Sequence, residues 1–280
     1  MNRKNTQNRL NALYADWKER LQTSDQEFQD SFGAPLLLSV TENYCQSKIR
    51  LIVFGQETAG WSWNKNLKAD YPRFSQNWPY QDIASMGDFV LNSDAVEGLC
   101  WAYQEFDFGS RMPTLRRTPF WQAFQEIRSW PDVGVMWSNI AISDYSAPGD
   151  DYSVLRAPKH IRETLATQQA ILRQGELSIL EPHACLFFTG PRYDWLISST
   201  LPGCEFKQCG DRDVKGFARL THPSLPTKSY RTYHPKYLSL GGFWNHIEVM
   251  RGLTCDSIKS GAGSSEVSLG RLSSQHPTQD

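Results

Sequence analysis

The chain is 280 residues long, 40% hydrophobic and 21% charged, with a formal net charge of −1. That length accommodates one generous domain or two small ones, and the apolar fraction supports a packed core, which excludes wholesale disorder. Near-neutral charge argues against a generic nucleic-acid coat, while leaving room for a local basic groove, because steering depends on where charge sits.

The first twenty residues contain no apolar run of the signal-peptide kind, and no stretch approaches membrane-spanning length, so a cytoplasmic protein without a membrane partner is expected. Leu10, Leu13, Tyr14, Trp17 and Leu21 recur at helical spacing and predict an amphipathic helix. From Ile49 to Phe54 the pattern becomes a continuous apolar run, the mark of a buried parallel strand, which stops at Gly55. A polar stretch dotted with aromatics follows to about Pro79. Thr118-Pro119 then reads as a helix start, with Thr at the N-cap and Pro in the first turn, and Phe120, Trp121, Phe124 and Ile127 as its buried face.

Val133 to Ile142 predicts a second buried strand, interrupted by Ser138 and Asn139. A helix from about His160 to Leu180 leads to a third strand, Ala184 to Thr189, ending at Gly190-Pro191. Short strands are expected over Phe217 to Thr221 and Ser229 to Tyr233, then a helix from Phe243 to Arg251. This alternation predicts an α/β fold in three layers, a mostly parallel sheet flanked by helices, over residues 1–255. The Gly- and Ser-rich remainder, 256–280, is too polar to dock and is expected to be disordered. The six cysteines form no CxxC pair. Cys204 and Cys209 have loosely metal-like spacing without a second pair, so neither a metal nor another cofactor is expected.

In open α/β sheets, ligands bind beyond the carboxyl ends of the strands. Three of the predicted strand ends carry polar residues suited to chemistry: Glu57, Asn139 and His234. Any one of them is more ordinarily a cap or a satisfied surface group; their joint placement is what points to a site.

Gly55-Gln56-Glu57-Thr58-Ala59 resembles the first motif of uracil-DNA glycosylases, Gly-Gln-Asp-Pro-Tyr in one branch. Asn139, after Val135-Met136-Trp137-Ser138, is similar to the strand-borne Asn that reads the base edge in that family. His234-Pro235-Lys236-Tyr237-Leu238 resembles the second motif, His-Pro-Ser with a nearby Leu wedge, and Thr118-Pro119-Phe120-Trp121 stands where the family has a proline-started helix. The ordered set spans Ile49 to Arg251.

The resemblance implies a DNA glycosylase acting, as a monomer, on a pyrimidine flipped out of DNA. Glu57 would activate water, with the backbone at Gly55 and Gln56 and the His234 imidazole holding charge on the departing base. Asn139 would pair with the base edge. Trp61, Trp63 and Phe74 are candidates for the stacking ring. Lys236, Arg111, Arg116 and Arg117 are candidates for phosphate contacts, and Tyr237 and Leu238 for the wedge.

Departures from the family pattern shape the substrate expectation. Glu57 is one methylene longer than Asp, Lys236 replaces Ser, and Ala59 stands where a Tyr excludes C5 substituents in strict uracil enzymes. A C5-modified pyrimidine is therefore expected, in repair or in defence against phage with modified DNA. His222-Pro223-Ser224 is a competing match to the second motif, and Asp144 a competing carboxylate. Two other readings stand beside this one: a binding module that lost hydrolysis, and a hydrolase of free nucleosides.

Overall fold

The computed structural model describes residues 1–58, 60, 61, 63, 79–107, 113–146 and 153–255. The expected disordered tail lies outside these residues.

Six strands form one mixed sheet: β1 (Ile49–Gly55), β2 (Val133–Asn139), β3 (Ala184–Phe187), β4 (Glu205–Gln208), β5 (Phe217–Thr221) and β6 (Lys228–Thr232), in the order β2-β1-β3-β6-β5-β4. The pairs β1–β2, β1–β3 and β3–β6 are parallel, while β5 runs antiparallel to both β6 and β4. The fold is thus α/β with a mostly parallel sheet packed against helices, as the alternation of patterns predicts. The chain places β2 on one side of β1 and then crosses to build β3 on the other. Such a reversal opens a crevice beyond the carboxyl end of the central strand.

The helices are α1 (Arg3–Leu21), α2 (Gln26–Ser31), α3 (Glu42–Gln46), α4 (Met86–Leu91), α5 (Ala95–Phe106), α6 (Pro113–Arg116), α7 (Pro119–Arg128), α8 (Lys159–Leu180), α9 (Asp194–Thr200), α10 (Pro235–Leu240) and α11 (Asn245–Cys255). In α1, Leu10, Tyr14, Trp17 and Leu21 are buried and Leu13 is partly so. In α7, Thr118 is the N-cap and Pro119 opens the first turn, although the Thr118 side chain makes no capping hydrogen bond. The second strand ends at Asn139, three residues earlier than its apolar pattern suggests. Ile140 and Ala141 still donate backbone N–H to Gly55 and Gln56 at 2.9 and 3.0 Å.

β2 is the last strand on one side of the sheet's hydrogen-bonding order, and side chains complete its outer edge. The Tyr103 hydroxyl donates to the Trp137 carbonyl at 2.8 Å and accepts from the Trp137 N–H at 3.2 Å. Gln169 donates to the Ile140 carbonyl at 3.0 Å and accepts from the Ile142 N–H at 3.1 Å. These contacts block edge pairing and hold rigid the strand that carries Asn139. All six cysteines are free thiols, and no described helix is long and apolar enough to cross a membrane.

Candidate active site

Strand register assembles the site. Gly55 is the direct partner of Asn139 across the β1–β2 pair. Across β3–β6, Phe187 pairs with Arg231, so Gly190 and His234 both lie three residues beyond the same rung. Gly55 and Asn139 thus share one rung at the carboxyl edge, and Gly190 and His234 lie two residues beyond the continuation of that rung on β3 and β6.

A Cβ on Gly55 would stand 2.4 Å from the Asn139 Oδ1 and 3.1 Å from the Phe120 ring, so the carboxamide and the ring converge over a bare backbone. Asn139 is buried, yet its carboxamide makes no hydrogen bond among the described residues, which leaves a donor and an acceptor available. Phe120 lies parallel to the His234 imidazole, with centroids 5.9 Å apart and planes inclined by 15°. The flat ring beside Gly55 is thus Phe120, which the sequence pattern assigns to the core.

His234 is the N-cap of α10, and its Nδ1 accepts the Lys236 backbone N–H at 3.2 Å. An accepting Nδ1 places the proton of the neutral ring on Nε2. Burial, and after it the Lys236 charge, pulls the imidazole pKa from 6.5 down to about 4, so the ring is neutral near pH 7 and offers an Nε2–H. His222 is in a different place. Because β5 is antiparallel to β6, its end faces the start of β6, at the opposite edge of the sheet, where the His222 Nδ1 caps a turn by accepting from Ser224 N–H.

Glu57 reaches across two chain segments. Its Oε1 accepts the Tyr193 hydroxyl at 2.5 Å, and its Oε2 accepts the Val154 N–H at 2.7 Å. Burial raises its pKa; the bonds from Tyr193, Val154 and Ser153 oppose that rise, and the nearby Asp144 carboxylate adds to it. Asp144 is itself buried and accepts the Gly60 N–H, so it fastens the loop after β1. Its own pKa is raised by burial, against the hydrogen bonds it receives. The Gln56 carboxamide is committed to the Thr189 carbonyl at 2.8 Å, tying that loop to the end of β3.

Behind Asn139 runs a buried polar chain. Arg173 donates to the Asn139 carbonyl at 2.8 Å and to Glu176 at 2.5 Å, while Tyr14 donates to Glu176 at 2.9 Å.

Two expected roles are corrected. Leu238 is fully buried and cannot wedge into a base stack; it shares the inward face of α10 with Pro235. The outward face carries Tyr237 and Leu240, 54% and 76% exposed, with Phe243 beyond them at 46%. Trp61 is 8% exposed and packs edge-on against Trp63, Phe106 and Trp137, so it is part of an aromatic core cluster. Trp63 belongs to the same cluster. Lys236, Arg116 and Arg117 are exposed, as phosphate contacts require. Ala59, Phe74 and Arg111 lie outside the described residues. Among the described residues, no group of three or more His, Cys, Asp or Glu side chains is placed to hold a metal ion.

Phe120 was legible as a residue of the Thr118-Pro119-Phe120-Trp121 segment, but its amphipathic spacing hides its outward role. Tyr193 follows Gly190-Pro191 at a strand end, the location where such a residue is to be sought. No family model, curated protein or solved structure matches this chain.

Proposed function

We propose that this protein is a DNA glycosylase that hydrolyses the N-glycosidic bond of a flipped-out pyrimidine. The observation that carries the reading is the Asn139 carboxamide and the Phe120 ring converging over Gly55, with a neutral His234 imidazole parallel to Phe120. A pyrimidine needs these three partners: an amide for its edge, a ring for its face, and a donor for the oxygen that becomes negative as the base departs. As the glycosidic bond breaks, the electron pair goes to the base and a positive sugar remains. Water adds to that carbon and yields its proton to Glu57, one of whose two bonded oxygens is held by Tyr193 and the other by Val154.

Tyr237 and Leu240 form the exposed apolar tip suited to filling the vacated stack, which favours a polymeric substrate over a free nucleoside. Lys236, Arg116 and Arg117 supply cations for phosphates. The C5-modified base, and with it repair or defence against phage carrying modified DNA, rests on the small Ala59 in the sequence. A second reading, a binding module without hydrolysis, is favoured by the engagement of both Glu57 oxygens.

Oligonucleotides carrying uracil or a range of C5-substituted pyrimidines, treated with alkali after incubation, separate the two. Strand cleavage at one modified base is the expected result, and Glu57→Gln should lower its rate by about two to four orders of magnitude with DNA binding retained. Binding without abasic sites on any substrate supports the module, and wild-type cleavage by Glu57→Gln removes Glu57 from the mechanism.

A further inference from the structure

The Glu57 carboxylate has about four lone-pair positions, two on each oxygen. Tyr193 occupies one on Oε1 and Val154 one on Oε2, with the Ser153 hydroxyl alongside. The two donors come from separate segments, the 3-10 turn Pro191–Tyr193 after β3 and the 3-10 turn Val154–Arg156 before α8. Tyr193 is itself buried, so its hydroxyl is not a surface group that happens to fall nearby. Nothing in the sequence pairs positions 57 and 193, which are brought together only because β1 and β3 are neighbours.

We propose that Tyr193 is a positioning residue for Glu57: its hydroxyl fixes the carboxylate plane, selects which lone pair faces the site, and favours the ionised form that accepts a proton. The phenol serves only as a donor. Burial and the adjacent Glu57 carboxylate push its own pKa far above the ordinary tyrosine value, so it keeps its proton. The other charges facing this pair are Asp144, which disfavours ionised Glu57, and Arg192, which weakly opposes the rise at Tyr193. With burial and Asp144 both acting against it, the donated bonds are what hold Glu57 toward ionisation, and Tyr193 is first among them.

The inference deepens the glycosylase reading, and its catalytic consequence rests on that reading; the coupling of Tyr193 to Glu57 does not. The test is Tyr193→Phe, which removes one oxygen and leaves the ring to pack. In the full-length protein labelled with carboxyl-¹³C glutamate, the Glu57 resonance is assigned by its loss in Glu57→Gln and titrated in wild type and variant. The proton affinity of Glu57 should rise about tenfold in Tyr193→Phe, the effect of losing one hydrogen bond to a charged group. An unchanged titration overturns the proposal. The pH–rate profile on the duplex cleaved in the substrate panel is the second measurement. An acid limb that moves to higher pH together with the titration supports the catalytic consequence. A titration that moves while the limb stays fixed separates Glu57 from the rate and overturns that part. Loss of rate with neither titration nor limb moved assigns Tyr193 a purely structural role.

Discussion

Gly55→Ala tests the convergence at the carboxyl edge with the smallest available perturbation. The added methyl would sit 2.4 Å from Asn139 Oδ1, where ordinary contact begins near 3.4 Å, and 3.1 and 3.3 Å from two Phe120 ring atoms. The strand geometry tolerates alanine, since Gly55 is not among the positive-φ glycines. The amide must therefore retreat by about 1 Å, and a side-chain end can do so more cheaply than backbone. Stability should fall only within the overpacking range, about 1–3 kcal/mol and toward its lower end. Function should suffer more, because displacing a positioned group by about 1 Å costs about a hundredfold in rate. Thermal melting and single-turnover base excision, measured on the same preparations, separate the two effects. A variant that excises at wild-type rate would show that Asn139 and Phe120 do not act together over Gly55.

Stability should depend on His234 with a defined sign. Its folded pKa of about 4 lies below the ordinary 6.5, so the unfolded chain takes up the proton first and stability falls as pH drops through that window. Between about pH 7 and about pH 5 the loss is up to about 2 kcal/mol, less whatever solvent screening reaches the partly exposed ring. Glu57 and Asp144, with raised pKa values, act in the opposite direction, so the readout is the difference in slope between wild type and His234→Gln in denaturant melts; equal slopes would contradict the depressed pKa. Leu238→Ala should cost about 2–5 kcal/mol of stability, as loss of a fully buried leucine does. Leu240→Ala should leave melting unchanged and slow excision from duplex more than from single-stranded DNA, with equal slowing on both substrates counting against a wedge at this tip.

β1, β2 and β3 were legible because each is a largely apolar run buried on both faces. The short edge strand Glu205–Gln208 was not, since three of its four residues are exposed and carry no pattern. Helix α5 was readable in principle from Val96, Leu99, Tyr103 and Phe106 at helical spacing. Asn139 was singled out because it interrupts an apolar run at a strand end, and His234 because it follows a strand and precedes a proline. Leu238 was misassigned because a motif gives an order of residues but not the rotation of a helix. Pro235 sets the start of α10, and the position three residues on turns inward with it. Tyr193 and Phe120 became visible only through distance, since each meets its partner across more than a hundred residues of chain.

The longer acid at position 57 and the tyrosine at 193 are best understood as one choice. An additional methylene extends a side chain by about 1.5 Å along its bonds. Shortening Glu57 to an aspartate with the backbone held would move the carboxylate away by about that distance, taking the 2.5 Å bond from Tyr193 beyond hydrogen-bond range and the 2.7 Å bond from Val154 with it. The loop cannot follow, because Gln56 is tied to Thr189 on one side of Glu57 and Gly60 to Asp144 on the other. In this chain the carboxylate is placed by partners from two other segments, the turn after β3 and the turn before α8, and an acid that falls short of them would be free to rotate. Glutamate is therefore the residue that this arrangement of β1, β3 and the turn before α8 requires.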